Sequence, residues 1–141
     1  MIKAIDLLEM SPVIAAIKDD AGLKECLDTE CQVVFILYGN ICSIKNIVSE
    51  LKSHGKYAMV HADLISGLSG KEIAIDFLKR STQADGIIST KLSFIKRAKE
   101  LGMATVFRFF VIDSMAFDNI KKQYEAACPD FVEILPGIMP K

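Results

Sequence analysis

Six short apolar runs recur along this chain at a nearly even spacing, and that rhythm constrains the fold more than anything else. The runs occupy residues 12–17, 33–37, 57–63, 86–90, 104–110 and 131–135. Each has strand length and is close to continuous in Val, Ile, Ala, Phe or Met, the pattern of a strand buried on both faces. The segments between them place apolar residues at helical spacing and charges on the opposite side. Ser43 stands where an N-cap belongs, before a helix whose inner face is Ile44, Ile47, Val48 and Leu51, and Gly55 closes that helix. Gly102 closes another after Phe94, Ile95, Ala98 and Leu101. Asp113 and Ser114 suit the start of a helix holding Phe117, Ile120 and Tyr124, which Pro129 ends. Five crossovers, about 24 residues apiece between Val13 and Phe131, predict a mainly parallel sheet.

A doubly wound open sheet and a β/α barrel both fit this alternation. The polar content of the strand ends favours the barrel. His61 and Asp63 are two apart and share a face, and Arg108 and Glu133 fall in the fifth and sixth runs. Charged side chains at the carboxyl ends of parallel strands belong at a barrel mouth. Beneath covering helices each would need a partner. The expected fold is therefore α/β, a TIM-barrel-type (β/α) arrangement occupying residues 1–141 as one domain, a size that buries a single core.

Composition narrows the function classes. With 51% hydrophobic and 25% charged residues the chain has a globular makeup. A net charge of -1 and a pI near 6.1 argue against a protein dominated by a basic face. Cys26, Cys31, Cys42 and Cys128 form no C-x-x-C pair, and His54 and His61 complete no metal-ligand pattern, so neither a metal nor a cofactor is expected. The absence of a basic-then-apolar leader and of an apolar run near 18 residues predicts a soluble, cytoplasmic protein with no membrane partner.

The residues that follow or end the runs are the candidates for chemistry, because ligands bind at that rim in a barrel. They are Asn40, Asp63, Lys91, Arg108, Asp113 and Glu133. Arg108 and Glu133 are expected to be neighbours, either as an internal ion pair or with Arg108 holding a carboxylate, hydroxyl or phosphate that Glu133 orients. Lys91 at the first turn of a helix is expected to be solvated rather than catalytic. The segment Gly67-Leu68-Ser69-Gly70-Lys71-Glu72 mimics a phosphate loop but fails: Ile65 replaces the first glycine and Glu72 the magnesium-binding hydroxyl. Residues 63–70 then read as a lid over the mouth or as an ordinary βα turn. His61 reads as a core residue, and Met59, Met103 and Phe107 as packing.

Four segments in this order resemble those of the glycerol uptake operon antiterminator family. They are Met59-Val-His-Ala-Asp-Leu-Ile-Ser-Gly-Leu, Asp85-Gly-Ile-Ile-Ser-Thr-Lys, Arg108-Phe-Phe-Val-Ile-Asp-Ser and Val132-Glu-Ile-Leu-Pro-Gly-Ile-Met-Pro. Ser11-Pro-Val-Ile-Ala-Ala-Ile fits as well, so the resemblance spans essentially the whole chain. It implies a small barrel that responds to glycerol 3-phosphate and binds RNA, regulating transcription by antitermination on leader mRNA of glycerol-utilisation genes. The expected ligand-binding set is Asp63, Lys91, Arg108, Asp113, Glu133 and Gly137. Relatives continue past the Leu-Pro-Gly motif, so this chain is expected to hold the first six βα units of eight and to be incomplete at its C-terminus. The phosphate cradle of a barrel usually follows strands seven and eight, which puts it beyond Lys141. Open edges at the first and sixth strands lead us to expect a homo-oligomer. The alternative is a barrel enzyme acting on a small phosphorylated metabolite, weakened by the lack of a convincing acid/base pair.

Overall fold

Parallel strands joined through helices place those helices on both faces of a sheet or on one, and the order of the strands decides which. The computed structural model describes residues 14–111, 122, 125, 126 and 129–136 of the protein. Its strands are β1 (Ile14–Ile17), β2 (Val33–Ile36), β3 (Tyr57–His61), β4 (Gly86–Ser89), β5 (Ala104–Val111) and β6 (Phe131–Pro136). Between them lie helices α1 (Asp20–Leu27), α2 (Ile44–Ser53), α3 (Ile73–Ser81) and α4 (Leu92–Glu100), with a 3-10 turn at Ala62–Leu64. The strands form one sheet in strictly sequential order, β1 to β6, every pairing parallel. A doubly wound sheet reverses direction at a switch point, and this one does not.

The packing agrees. One strand parity, with Val34, Ile36, Ala58, Val60, Ile87 and Phe107, packs against Leu23, Ile44, Leu51, Ile75, Leu78 and Phe94 of the helices. The other parity forms a second, smaller cluster of Val33, Met59, Ile88, Ala104 and Val106, with Phe35, Tyr57 and Phe131 packed on it. That cluster contains strand residues alone. Helices therefore cover one face and leave the other as an interior, which is the β/α-barrel arrangement with the sheet still open between β1 and β6.

Local chemistry fixes the ends of the elements. Gly55 (φ 75°) and Gly102 (φ 76°) follow α2 and α4 in the left-handed conformation, as the sequence leads one to expect. At the start of α2 the expected cap needs correction. The Ser43 side chain makes no capping bond; its hydroxyl accepts from the Asn40 N–H at 3.0 Å. Asn40 does the work instead, its Oδ1 accepting from the N–H of Cys42 and Ser43 at 2.8 and 3.0 Å. An amide side chain that folds onto its own turn competes effectively with a serine three residues later. The helix start at 113–114 and the expected strand beginning at 12–13 lie outside the described residues.

The amino ends of the strands are tied by two aspartates in equivalent positions. Asp85, just before β4, accepts from the Ala58 N–H in β3 at 2.8 Å and from Lys52 Nζ at 3.0 and 3.1 Å. Asp130, just before β6, accepts from the Thr105 N–H in β5 at 2.9 Å, and its own N–H donates to the Thr105 hydroxyl at 2.9 Å. Both sit one residue before the first paired position, Asp85 for β3–β4 and Asp130 for β5–β6. We expect Asp85→Ala to cost about 1–2 kcal/mol, because the Ala58 N–H is buried and Lys52 is only partly exposed. Urea unfolding at neutral pH measures this, and an unchanged midpoint would refute the clamp.

Candidate functional site

Strand register brings the candidate residues to one level. His61 of β3 stands opposite Ile88 of β4, Ile88 opposite Val106 of β5, and Val106 opposite Phe131 of β6. Two residues farther along these chain segments come Asp63, Thr90, Arg108 and Glu133. Arg108 and Glu133 are direct register partners. Arg108 shares the parity of Ala104 and Val106, so it belongs to the interior face, where it is half-buried. Asp63 and Thr90 thus lie just past the ends of β3 and β4, while Arg108 and the backbone position of Glu133 stand at the same register level within β5 and β6, one step above an apolar layer of the interior.

Asp63 is the fixed point of that level. Its Oδ1 accepts from the Ser89 hydroxyl at 2.7 Å, and its Oδ2 from the Thr90 N–H at 2.8 Å and the Thr90 hydroxyl at 2.7 Å. Ser89 is fully buried, and its oxygen accepts in turn from the Lys91 N–H at 3.0 Å. Burial pulls the Asp63 carboxyl upward, but the Thr90 and Ser89 hydrogen bonds and the nearby His61 outweigh it and hold it below the usual carboxylate value. The carboxylate is therefore ionised and oriented, with acceptor capacity left on Oδ1. A group held ionised in this way suits recognition of a hydroxyl or a cation and makes a poor proton donor.

The loops around this level are also fixed. Beyond the 3-10 turn the chain returns to pair with the loop after β2, through a parallel bridge of Asn40 with Ser66. The Ser66 N–H donates to Gly39 O and the Ile41 N–H donates to Ser66 O, each at 3.0 Å. Gly39 (φ 109°) and Gly67 (φ 83°) turn the two strands of chain at this point, and Ile41 packs over Gly67. The segment from Asp63 to Gly67 is thus a tied βα turn.

The remaining candidates separate. Lys91 is exposed, with its Nζ 4.8 Å from the centre of the Phe94 ring and close to Gly70, so its ammonium lies toward α4 and the Gly70 loop. Asn40 is used in capping. His61 is buried on the parity of Met59, and Met59, Met103 and Phe107 are core residues. For Glu133 the structure describes the backbone position, while Asp113 and Gly137 lie outside the described residues. The sequence reading passed over Ser89 and Thr90 as site residues. Two hydroxyls closing the run at 86–90, at the level of Asp63 at the end of the preceding run, were the available signal. Among the described residues no cluster of three or more His, Cys, Asp or Glu suits a metal, and no helix is long and apolar enough to cross a membrane.

Known proteins share this architecture. The profile of a family described as glycerol-3-phosphate responsive antiterminator matches residues 13–141. The chain is 53% identical over 137 residues to the uncharacterized protein YgcP of Escherichia coli (strain K12), covering 97% of this chain and 72% of that one. The crystal structure of a glycerol uptake operon antiterminator regulatory protein from Listeria monocytogenes aligns with a TM-score of 0.84 at 34% identity, covering 90% of this chain and 69% of that one. A glycerol uptake operon antiterminator-related protein from Thermotoga maritima aligns with a TM-score of 0.79 at 39% identity, covering 88% and 70%.

Proposed function

This chain belongs to the glycerol-3-phosphate responsive antiterminator family, and from that premise we propose that its rim layer recognises glycerol 3-phosphate and transmits the signal to RNA. Regulation of transcription by antitermination is the function that goes with the family. The effector contacts, the leader mRNA of glycerol-utilisation genes as target, and action in the cytoplasm are the parts proposed. The observation that carries the proposal is the fixed carboxylate of Asp63 on the same level as Arg108. A phosphorylated triol needs a cation for its phosphate and an acceptor for its hydroxyls. Arg108 offers a guanidinium, with Glu133 at its register partner position, and Asp63 offers the remaining lone pair of Oδ1. Binding without turnover suits this set, since its one well-defined carboxylate is held ionised.

Isothermal titration with glycerol 3-phosphate, and with glycerol and inorganic phosphate separately, tests this reading. We expect heat with the phosphorylated triol and little with either half. Arg108→Ala should weaken binding roughly ten- to hundredfold, the loss of one charge-assisted contact of about 1.5–3 kcal/mol. Equal binding by wild type and Arg108→Ala would put the phosphate elsewhere.

A further inference from the structure

The weakly acidic total conceals an uneven distribution of charge around the helical face. Helices α2, α3 and α4 carry seven Lys and Arg against three Asp and Glu. Around α1, by contrast, Asp19, Asp20, Glu25, Asp28 and Glu30 outnumber Lys18 and Lys24. Several of the seven cations are engaged: Lys52 with Asp85, Arg97 with Asp76 and Glu100, and Lys99 with Asp130. Lys45 and Arg80 form no ion pair among the described residues, and both are exposed. They meet across one groove of about 440 Å³ between α2 and the end of α3, whose other walls are Ser49, Ser81, Thr82 and Gln83. Every lining residue is polar and none is acidic. The Thr82 hydroxyl is occupied by Leu78 O and the Ala84 N–H. Among the described residues, the side chains of Lys45, Ser49, Arg80, Ser81 and Gln83 form no hydrogen bond. Asp76, one turn back from Arg80 on α3, is taken up by the bidentate Arg97 at 2.7 and 2.9 Å.

We propose that this groove is an RNA-backbone track, in which Lys45 and Arg80 bind successive phosphates of the leader transcript while Ser49, Ser81 and Gln83 contact phosphate and ribose oxygens. The inference rests on the antitermination reading above and adds the surface that would carry it out. The chemistry fits a polyanion with closely spaced charges, because half or more of nucleic-acid hydrogen bonds go to phosphate and sugar from such side chains. The groove also lies on the helical side, away from the interior rim, so effector and transcript do not compete for the same residues.

Fluorescence anisotropy tests this with the protein, saturating glycerol 3-phosphate and a labelled transcript of the glycerol-operon leader. Lys45→Gln/Arg80→Gln removes the two charges, and Lys18→Gln/Lys24→Gln removes two charges from the acidic side as a control. Single-stranded RNA contributes a slope of about 0.7 in log affinity against log salt per phosphate contact. The groove variant should therefore lose about 1.4 from that slope. Wild type should weaken about sevenfold more than the variant between about 50 and about 200 mM salt. The control should keep the wild-type slope, and all three proteins should show the same unfolding midpoint and the same heat with glycerol 3-phosphate. Wild-type binding with an unchanged slope in the groove variant would overturn the track and leave the antitermination reading standing. No binding of the leader by wild type at low salt would overturn both.

Discussion

Gly86→Ala is expected to destabilise the protein by at least about 3 kcal/mol and to lower its Tm by roughly 10 °C. Gly86 opens β4 on the interior parity, paired on one side with Met59 and on the other with Ala104. A Cβ built there meets the carbonyl oxygen of Ala104, comes within 2.8 Å of its carbonyl carbon, and lies 2.7 Å from Met59 Cε. The methionine tip can swing aside. The Ala104 backbone cannot do so cheaply, because the next residue, Thr105, is bound to Asp130 at 2.9 Å. Added volume against fixed backbone forces neighbouring strands apart, and close-packed interiors resist that. Gly55→Ala provides the contrast. Nothing lies within 4 Å of its added Cβ, so its cost is the left-handed φ of 75° alone, about 1 kcal/mol. Urea unfolding of both variants measures the difference, and a loss below about 1 kcal/mol at Gly86 would mean that β4 shifts freely.

What made the fold legible is the parallel sheet itself. Strands buried on both faces have no polar alternation to blur them, so the runs at 33–37 and 104–110 announce β2 and β5 almost to their ends. Arg108 and Glu133 were readable as neighbours for the same reason, since adjacent parallel strands with similar starting points bring equivalent positions together. Interactions that depend on register across a crossover were not readable. Asp63 reaches 26 and 27 residues ahead to Ser89 and Thr90, and Asp85 reaches 27 residues back to Ala58. Nothing in the local sequence distinguishes Asp85 from a solvated aspartate, and the place of Asp63 at the end of a run did not name its partners. The start of α2 failed for the opposite reason, too many local options: Asn40 and Ser43 are both good cap residues, and geometry favours the first. The uneven charge of the helices was likewise hidden, because a total of -1 averages a basic arc with an acidic one.

Asp63→Ala is expected to cost about 2–3 kcal/mol at neutral pH and to weaken glycerol 3-phosphate binding as well. Three hydrogen bonds converge on this carboxylate, and they are unequal. Thr90 is exposed, so water replaces its lost acceptor at small cost. Ser89 is fully buried, and without Asp63 its hydroxyl has no comparable acceptor, which makes it the larger part of the loss. The stabilisation must also depend on pH in a definite direction. The folded carboxyl titrates below its ordinary value, so the native state binds the proton less readily than the unfolded chain does. The contribution is complete above the unfolded value near about 3.9 and disappears as pH falls through the lower folded value. The stability gap between wild type and Asp63→Ala should therefore be widest at neutral pH and narrow on acidification below about pH 4. Asp63→Asn serves as the uncharged acceptor, retaining one carbonyl oxygen for Ser89, and should fall between the two with a gap to Asp63→Ala that does not change with pH. Urea titrations of the three proteins from neutral to acid pH separate these outcomes. If the gap between wild type and Asp63→Ala stays constant across that range, the carboxylate charge is not what holds the rim together.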